Sequence, residues 1–337
     1  MTETAATSSH LRRSLEGVAA GVVAAAAGLL PWLVGGGRLP LQNLWANETL
    51  PGGMPFVLLP VSQYKAITLL VLLVVPAVAA GLAVRAAASR VALPAWSVAA
   101  GLLLAHAGAT AQSFVVVARG LELGQTVDAR VGLYFFGLLG GVVASILLAQ
   151  AGFLLTSRAS RGPAALGLSL AATPLAYWLN EAVAALSGPG QYPAIMSGVV
   201  RWLPAVVVGL TLAWYGLRPG RQIAVWAAAL AALWVTPALF VSLQYGLGMR
   251  ILRGDVGEML SASAQLFPQV LELMVAPVAV ALALGLAAAA ARAGLARRGR
   301  PGRVAPEGRR HANQREARRL ASPMRASCTR ESAPVLA

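Results

Sequence analysis

The side chains that could do chemistry in this sequence are few, and most of them interrupt or border long apolar stretches. They are two amides, two carboxylates, one guanidinium and one imidazole: Gln112, Asn180, Glu181, Glu272, Arg201 and His106. Groups of these types can form ion pairs, transfer a proton or line a polar pocket. Because such a group is costly in an apolar environment, each is a functional-site hypothesis. Together they predict a polar pocket or a clamp between helix ends.

The charged members of this set lie near the ends of their apolar stretches, which allows ion pairs. Glu181 and Arg201 could pair across adjacent helix ends, and Glu272 could pair with Arg250 or Arg253. Removing one partner of a partly buried pair would leave the other charge uncompensated. We favour a structural clamp, and the alternative is an outward-facing pocket that binds a ligand.

His106 is the one ionisable residue near the middle of an apolar stretch. A histidine there could relay protons or contact a ligand. A relay also needs a carboxylate or a second histidine at a similar depth, and the sequence indicates none. We therefore predict a neutral His106 that is hydrogen-bonded between helices.

No pattern of residues encodes a recognisable reaction. The sequence has no G-x-x-x-x-G-K-[ST] phosphate loop, no H-E-x-x-H zinc pair and no G-x-S-x-G nucleophile elbow. Its single cysteine, Cys328, allows no disulfide framework, and the other two histidines lie near the termini. We therefore predict no catalytic residue, no metal and no cofactor, and an intramembrane enzyme is the least favoured functional class.

Composition indicates which elements hold these side chains. Of the 337 residues, 58% are apolar and only 12% are charged, whereas soluble chains carry about 25% charged residues. A helix needs about 20 apolar residues to cross a bilayer, because its backbone groups must be paired internally. The sequence therefore predicts an all-α integral membrane protein, a polytopic bundle of about eight transmembrane helices. The eight spans are 17–36, 66–84, 91–117, 131–156, 163–180, 194–216, 222–245 and 270–291.

Arginine placement predicts the orientation of the bundle. With residues 1–16 in the cytoplasm, most of the 27 basic residues fall on the cytoplasmic side, as the positive-inside rule requires. Twelve arginines lie in 292–337, which is too polar to bury a core and is predicted to be a disordered cytoplasmic tail. The tail could bind anionic lipids of the inner leaflet. It has no aromatic residue for base stacking, so no nucleic acid is expected.

Two connections on the predicted outer side are long, 37–65 and 246–269. The first carries four prolines at positions that resist helix and sheet. The second has helical spacing of its apolar residues and predicts an amphipathic helix at the membrane surface. We expect ordinary connections that lie against the membrane, with lids over the mouth of the bundle as the alternative.

Small residues and one repeated pattern bear on helix packing. Gly17 with Gly21, and Gly137 with Gly141, have the four-residue spacing that lets helices approach closely. We expect them to serve packing within the bundle, with dimerisation as the alternative. The segment PAVAAGL at 76–82 is similar to PAVVVGL at 204–210. A 4+4 pseudo-repeat of the kind found in transporters would explain the similarity. A chain so rich in Ala, Val, Leu and Gly also produces such matches by chance.

Two functional classes follow from these features. The scarcity of polar residues at the midplane favours a non-enzymatic membrane scaffold or envelope-assembly factor with a membrane protein partner, because an aqueous solute needs a polar path across about 30 Å of hydrocarbon. The alternative is a permease-like transporter of a small or lipidic solute, with a polar pocket in the outer half of the bundle. One lysine among 27 basic residues resembles a high-GC bacterial proteome such as that of actinobacteria, which implies the plasma membrane.

Overall fold

The structure is a computed structural model, and it describes residues 2–47, 49–91, 93–124, 129–188, 191–217, 220–249 and 255–298. The chain divides into one compact unit, residues 1–290, and a second unit, residues 291–337, of which 291–298 are described. The predicted disordered tail lies outside the described residues from position 299 onward.

The described fold is built from nine α-helices. They are α1 Thr2–Val34, α2 Ala66–Ala87, α3 Ala95–Gly120, α4 Ala129–Ser157, α5 Arg161–Ser187, α6 Ile195–Tyr215, α7 Arg221–Gly248, α8 Val256–Leu273 and α9 Val275–Arg298. Seven of them, all but α5 and α8, are long and apolar enough to cross a membrane. The prediction of an all-α polytopic membrane bundle is confirmed.

Helix α5 coincides with the fifth predicted span, although it is less apolar than those seven. It runs the length of the bundle, because an added Cβ at Gly162 would touch Tyr215 at the end of α6, and Glu181 contacts Thr68 at the start of α2. Small side chains let it pack closely among its neighbours. A helix that is covered by other helices contacts little lipid, so its side chains need not be strongly apolar. Its buried residues include Ala164, Ala165, Gly167, Ser169, Ala171, Ala172 and Ala176.

The eighth predicted span, 270–291, falls across two helices. Helix α8 begins after Asp255, whose carboxylate accepts hydrogen bonds from the backbone N–H groups of Gly257 and Glu258. It ends at Leu273, and Met274 separates it from α9. The long connection before this span is helical, as its spacing predicts. Helix α8 packs lengthwise along α7, however, instead of lying across the membrane surface.

Close helix packing occurs at one of the two predicted glycine pairs. An added Cβ at Gly21 would overlap the carbonyl oxygen of Val98 and lie 2.7 Å from the backbone nitrogen of Leu102. Helices α1 and α3 therefore meet backbone to backbone. An added Cβ at Gly137 or Gly141 meets no atom within 4 Å. The packing prediction is correct for the α1 pair and wrong for the α4 pair.

The repeated pattern occupies similar places in α2 and α6. An added Cβ at Gly81 would lie 2.7 Å from the carbonyl oxygen of Phe153 in α4, and one at Gly209 would lie 3.0 Å from the carbonyl oxygen of Ala281 in α9. Gly81 therefore lets α2 approach α4, and Gly209 lets α6 approach α9. In the predicted repeat, α4 and α9 are the last helices of the first and second halves. The long connection between α1 and α2 has no counterpart between α5 and α6, and the 4+4 duplication stays a prediction.

Candidate functional site

The connection between α1 and α2, residues 35–65, is folded into the bundle, and we call it the cap. Trp32 donates from Nε1 to the carbonyl oxygen of Val57 at 3.0 Å, and Arg38 donates from Nη1 to that of Met54 at 3.0 Å. The cap is therefore a compact irregular segment that packs against the bundle. The end of the bundle that carries it is the cap side. Its apolar side chains in the main core are Leu39, Met54, Val57, Leu59 and Val61.

Gln112 and Ser113, near the cap side of α3, pair with the backbone of the cap. Gln112 Oε1 accepts from the N–H of Leu58 at 2.9 Å, and its Nε2 donates to the carbonyl oxygen of Phe56 at 3.1 Å. Ser113 Oγ accepts from the N–H of Leu59 at 3.0 Å. Irregular backbone persists at membrane depth only where its polar groups are paired. The structure thus places Gln112 where it holds the cap.

Two further hydrogen bonds tie the cap to α4 and α7. The Tyr134 hydroxyl donates to Gln42 Oε1 at 2.7 Å, and Gln63 Nε2 donates to the carbonyl oxygen of Leu247 at 2.9 Å. Because the cap is anchored on both sides, it has the contacts of a fixed wall and not those of a lid.

Glu181, at the cap side of α5, forms a clamp with partners other than the predicted one. Its Oε1 accepts from Thr68 Oγ1 at 3.1 Å, and its Oε2 lies 3.6 Å from Lys65 Nζ. Arg201 instead places its guanidinium 5.2 Å from the ring centroid of its neighbour Trp202. The clamp therefore joins α5 to the start of α2, and Glu181 and Arg201 do not pair.

Asn180 and Glu272 lie apart from this clamp. Asn180 Oδ1 accepts a hydrogen bond from the Tyr192 hydroxyl. Glu272 is exposed in the last turn of α8, and its predicted partners are Arg250 and Arg253. Those two arginines, and with them the predicted pairing, are outside the described residues. None of the six predicted residues lines the main cavity of the described chain.

His106 is fully buried in α3. Neither of its ring nitrogens has a hydrogen-bond partner in the part of the chain that the structure describes. The predicted hydrogen bond between helices is therefore not present there. Leu102 and Ala109, on the same face of α3, are buried as well, so the imidazole packs as a core side chain.

A cavity of about 1050 Å³ lies beside the cap, between α4 and α7. Helix α4 lines the cavity along its length, the start of α2 (66–70) and the end of α7 (Leu243 and Leu247) line it near the cap side, and the cap with the first turn of α8 forms its roof. Pockets for drug-sized ligands measure about 300–1,000 Å³, so this space admits a molecule of that size. Its apolar lining includes Ile67, Leu70, Leu138, Val142, Leu148 and Leu243.

The α4 wall of the cavity is a strip of small residues that opens to one side. Gly137, Gly141 and Ala144 are exposed and line the cavity. From Leu133 to Leu148 the strip extends for about 22 Å at 1.5 Å per residue. The leucines at both ends are more than half exposed. The cavity is therefore a lateral groove, open on the surface that a transmembrane helix presents to lipid.

Most polar groups of the groove lie at its roof. Several of them are engaged in the structure of the roof itself: Tyr134 and Gln63 hold the cap, and Asp255 caps α8. An apolar groove with polar groups at one end is complementary to the two parts of an amphipathic molecule. The polar lining residues at the roof are Asn43, Ser62, Gln63, Arg130, Tyr134 and Asp255. Ser145 also lines the cavity, farther along α4, where its hydroxyl donates to the carbonyl oxygen of Gly141 at 2.8 Å.

The groove is the feature that sequence reasoning missed. Its lining is mostly leucine, isoleucine, valine and glycine, which the sequence offers in every span. The signal that could have indicated it is the density of glycine in α4, at 132, 137, 140 and 141, where an added Cβ would meet no atom within 4 Å. Among the described residues, no three His, Cys, Asp or Glu side chains lie together as metal ligands would.

The fold and the groove define a class of protein: a multi-pass membrane protein with a lateral groove beside an irregular cap. Comparison of the chain with protein-family models, with curated proteins and with solved structures gives no match. What the groove can bind therefore follows from its own shape and chemistry.

Proposed function

We propose that this protein is a non-enzymatic, permease-like lipid-handling protein that admits an amphipathic lipid sideways into the groove between α4 and α7. The observation that carries the proposal is the cavity of about 1050 Å³ with an apolar body and a polar roof. Of the two functional classes that the sequence leaves open, this geometry favours the permease-like one, with a lipidic solute.

The length and polarity of the groove support an acyl chain as its occupant. About 22 Å along α4 exceeds half of the ~30 Å hydrocarbon core, so a chain from one leaflet fits along it. The scarcity of midplane polar residues counts against an aqueous solute but not against a lipid, since an acyl chain needs no polar lining. Arg130 and Asp255 both line the roof, so the polar end of the groove suits a polar headgroup.

A membrane scaffold is the second candidate, and a different observation favours it. Helix α8 exposes polar side chains along one face, including Gln265, Gln269 and Glu272. A face of this kind in a membrane protein usually contacts protein or water.

We further propose that the bundle lies in the plasma membrane of a bacterium with both termini in the cytoplasm. Basic loops are retained on the cytoplasmic side, and the cap and the roof of the groove then face outward. The arginine-rich tail would add about 1 kcal/mol of attraction to anionic inner-leaflet lipids for each basic residue near the surface.

Blocking the groove tests lipid binding. Gly141→Trp introduces a large ring at a cavity-lining position where an added Cβ meets no atom within 4 Å. Gly140→Trp is the matched control, because Gly140 has the same open surroundings and does not line the cavity. The probe is phosphatidylglycerol with a photoreactive diazirine in its acyl chain, supplied in nanodiscs. The measurement is the amount of label on peptides of α4 and α7.

The wild type and Gly140→Trp should be labelled at the groove, and Gly141→Trp should lose that label by about tenfold, the loss that 1.4 kcal/mol of affinity produces. Equal labelling of all three proteins, or label spread evenly over every lipid-facing helix, would show that the groove is not a lipid site.

A further inference from the structure

Helix α8 carries five exposed polar residues at spacings of three or four, which places them on one face of the helix. The opposite side of α8 packs against the bundle through Ser263 and Val270, both buried. We call the exposed set the polar stripe: Glu258, Ser261, Gln265, Gln269 and Glu272.

Contacts with α7 give the depth of the polar stripe. On the cap side, an added Cβ at Gly246 would touch Ser263 and Met259. Farther along, Trp234 Nε1 donates to the carbonyl oxygen of Leu271 at 2.8 Å. Gly246 and Trp234 are separated by about 18 Å along α7 at 1.5 Å per residue. Because Trp234 is near the middle of this membrane-spanning helix, α8 descends from the cap side to the middle of the bundle.

The polar stripe would be costly if it faced hydrocarbon. A charged side chain at the centre of a membrane costs about 2.5–3.5 kcal/mol on insertion scales. Among the described residues, ion pairs join Arg12 to Glu16 and Lys65 to Glu181. In that part of the chain, the carboxylates of α8 have no cationic partner. Ser261 donates only to the backbone of α8 itself.

We propose that the polar stripe docks a membrane-spanning segment of another protein, one that carries a basic side chain at the depth of Glu272. Charge complementarity is the argument, since two carboxylates on one helix face have no compensation within the described chain. The glutamines between them, Gln265 and Gln269, suit hydrogen bonds between packed membrane helices. This inference does not depend on lipid binding in the groove.

A second copy of this chain does not have the chemistry to cover the polar stripe. In a symmetric dimer with its axis normal to the membrane, each residue meets the partner at its own depth. The described basic residues lie toward helix ends or in connections, and Arg201, the seventh residue of α6, lies farthest inside a span. No copy therefore presents a described basic residue to Glu272, and pairing of the two stripes would oppose like charges.

Accessibility of the stripe to a membrane-impermeant maleimide tests the proposal. Gln265→Cys is made in a Cys328→Ala background and expressed at its native level in its own host. Labelling is compared between those membranes and the purified protein in nanodiscs. Leu50→Cys, in the exposed part of the cap, controls for access of the reagent, and Ser263→Cys, on the buried face, controls for protection.

We expect Gln265→Cys to react about tenfold more slowly in native membranes than after purification, which corresponds to a docked fraction of about 90%. Slow labelling in both preparations indicates a second copy or lipid, and fast labelling in both indicates a water-filled surface. Either result overturns the proposal.

A charge variant shows whether Glu272 contributes to docking. Glu272→Lys should make Gln265→Cys react as fast in native membranes as in nanodiscs, because the partner's basic group is then repelled. Glu272→Asp keeps the charge and should keep the protection. Protection that persists in Glu272→Lys contradicts a basic partner at this depth. Lipid labelling of the groove should be the same in these variants, which separates this result from the proposed function.

Discussion

Gln112 and Ser113 illustrate what polar side chains do within the spans of this protein. Both lie on α3, and both pair with backbone groups of the cap. The cap is rich in proline and irregular, so only some of its N–H and C=O groups pair with one another, as the N–H of Leu39 does with the carbonyl oxygen of Pro55. Polar side chains from a neighbouring helix take over that role.

Gln112→Leu should lower the stability of the purified protein. The substitution removes the acceptor for the N–H of Leu58, and an unpaired buried backbone group costs about 1–3 kcal/mol. Thermal unfolding in detergent measures the loss. Gln191→Leu, at an exposed position, should leave the midpoint unchanged. If both variants unfold with the wild type, the cap does not depend on Gln112.

Glu181 should be energetically coupled to Lys65 and not to Arg201. The Glu181–Lys65 pair is partly exposed, and exposed pairs contribute about 0.2–1 kcal/mol. Double-mutant cycles with Ala at Glu181 and Lys65, and at Glu181 and Arg201, measure both couplings. The first cycle should be non-additive, and the second should be additive within about 0.5 kcal/mol. Coupling of Glu181 to Arg201 without coupling to Lys65 would instead support the ion pair that the sequence predicts.

The sequence predicted polar roles more accurately than polar partners. A clamp at Glu181 follows from a carboxylate at a helix end, but the sequence cannot show that Lys65, in the cap, comes nearer to it than Arg201 does. For His106, burial follows from its place in an apolar span, whereas its lack of a hydrogen-bond partner among the described residues depends on helix rotation, which no single sequence specifies.

At the scale of elements, the two glycine pairs have opposite surroundings. Gly17 and Gly21 bring α1 against α3, whereas Gly137 and Gly141 face open space in the groove. Equal spacing in the sequence therefore serves close packing in one helix and a ligand-sized space in another. Which of the two applies depends on the neighbouring helix.

Gly21→Ala should destabilise the bundle, while Gly137→Ala should not. A methyl group at Gly21 overlaps backbone atoms of α3 that cannot rotate away, and overpacking of this kind costs about 1–3 kcal/mol or more. A methyl group at Gly137 meets no atom within 4 Å and also favours the helix. Unfolding of both variants in detergent is the measurement. Equal losses would mean that α4 packs as tightly as α1.

Hydropathy predicted the helices well where they face lipid and less well where they face protein. The second, third and fourth spans match α2 to α4 closely. Helix α1 ends near the predicted boundary but begins at Thr2, so it also includes residues 2–16 of the segment that the sequence predicts as separate from the first span. Helix α5 is less apolar because its neighbours cover it, and α8 carries a polar face along the bundle. In α5 and α8, the hydropathy of the side chains reflects whether they contact protein or lipid, and not whether the helix crosses the membrane. Hydropathy therefore could not predict that the eighth span is interrupted at Met274.

At the scale of the whole molecule, the cap and the groove arise from contacts between distant parts of the chain. Gln63, in the cap, bonds the backbone of Leu247 at the end of α7, and the first turn of α8 completes the roof. The class of the protein could be predicted from composition and span length. The groove could not, because it depends on how far α4 and α7 stand apart.

Reporter fusions test the orientation of the whole bundle. A fusion after Gly36, on the cap side, should give active alkaline phosphatase, which folds only outside the cytoplasm. Fusions after Arg90 and after Arg158 should give fluorescent cytoplasmic reporters, because basic loops are retained there. Phosphatase activity after Arg90 would show that the orientation of the bundle is the opposite of the predicted one, with the roof of the groove on the cytoplasmic side.

Electron cryomicroscopy of the wild-type protein in lipid nanodiscs tests lipid binding in the groove most directly. We expect an elongated density that starts at the roof beside Arg130 and follows α4 as far as Leu148, with its body against α2. A groove that is closed by contact between α4 and α7, or one that holds only disordered solvent, would contradict a lipid-handling role.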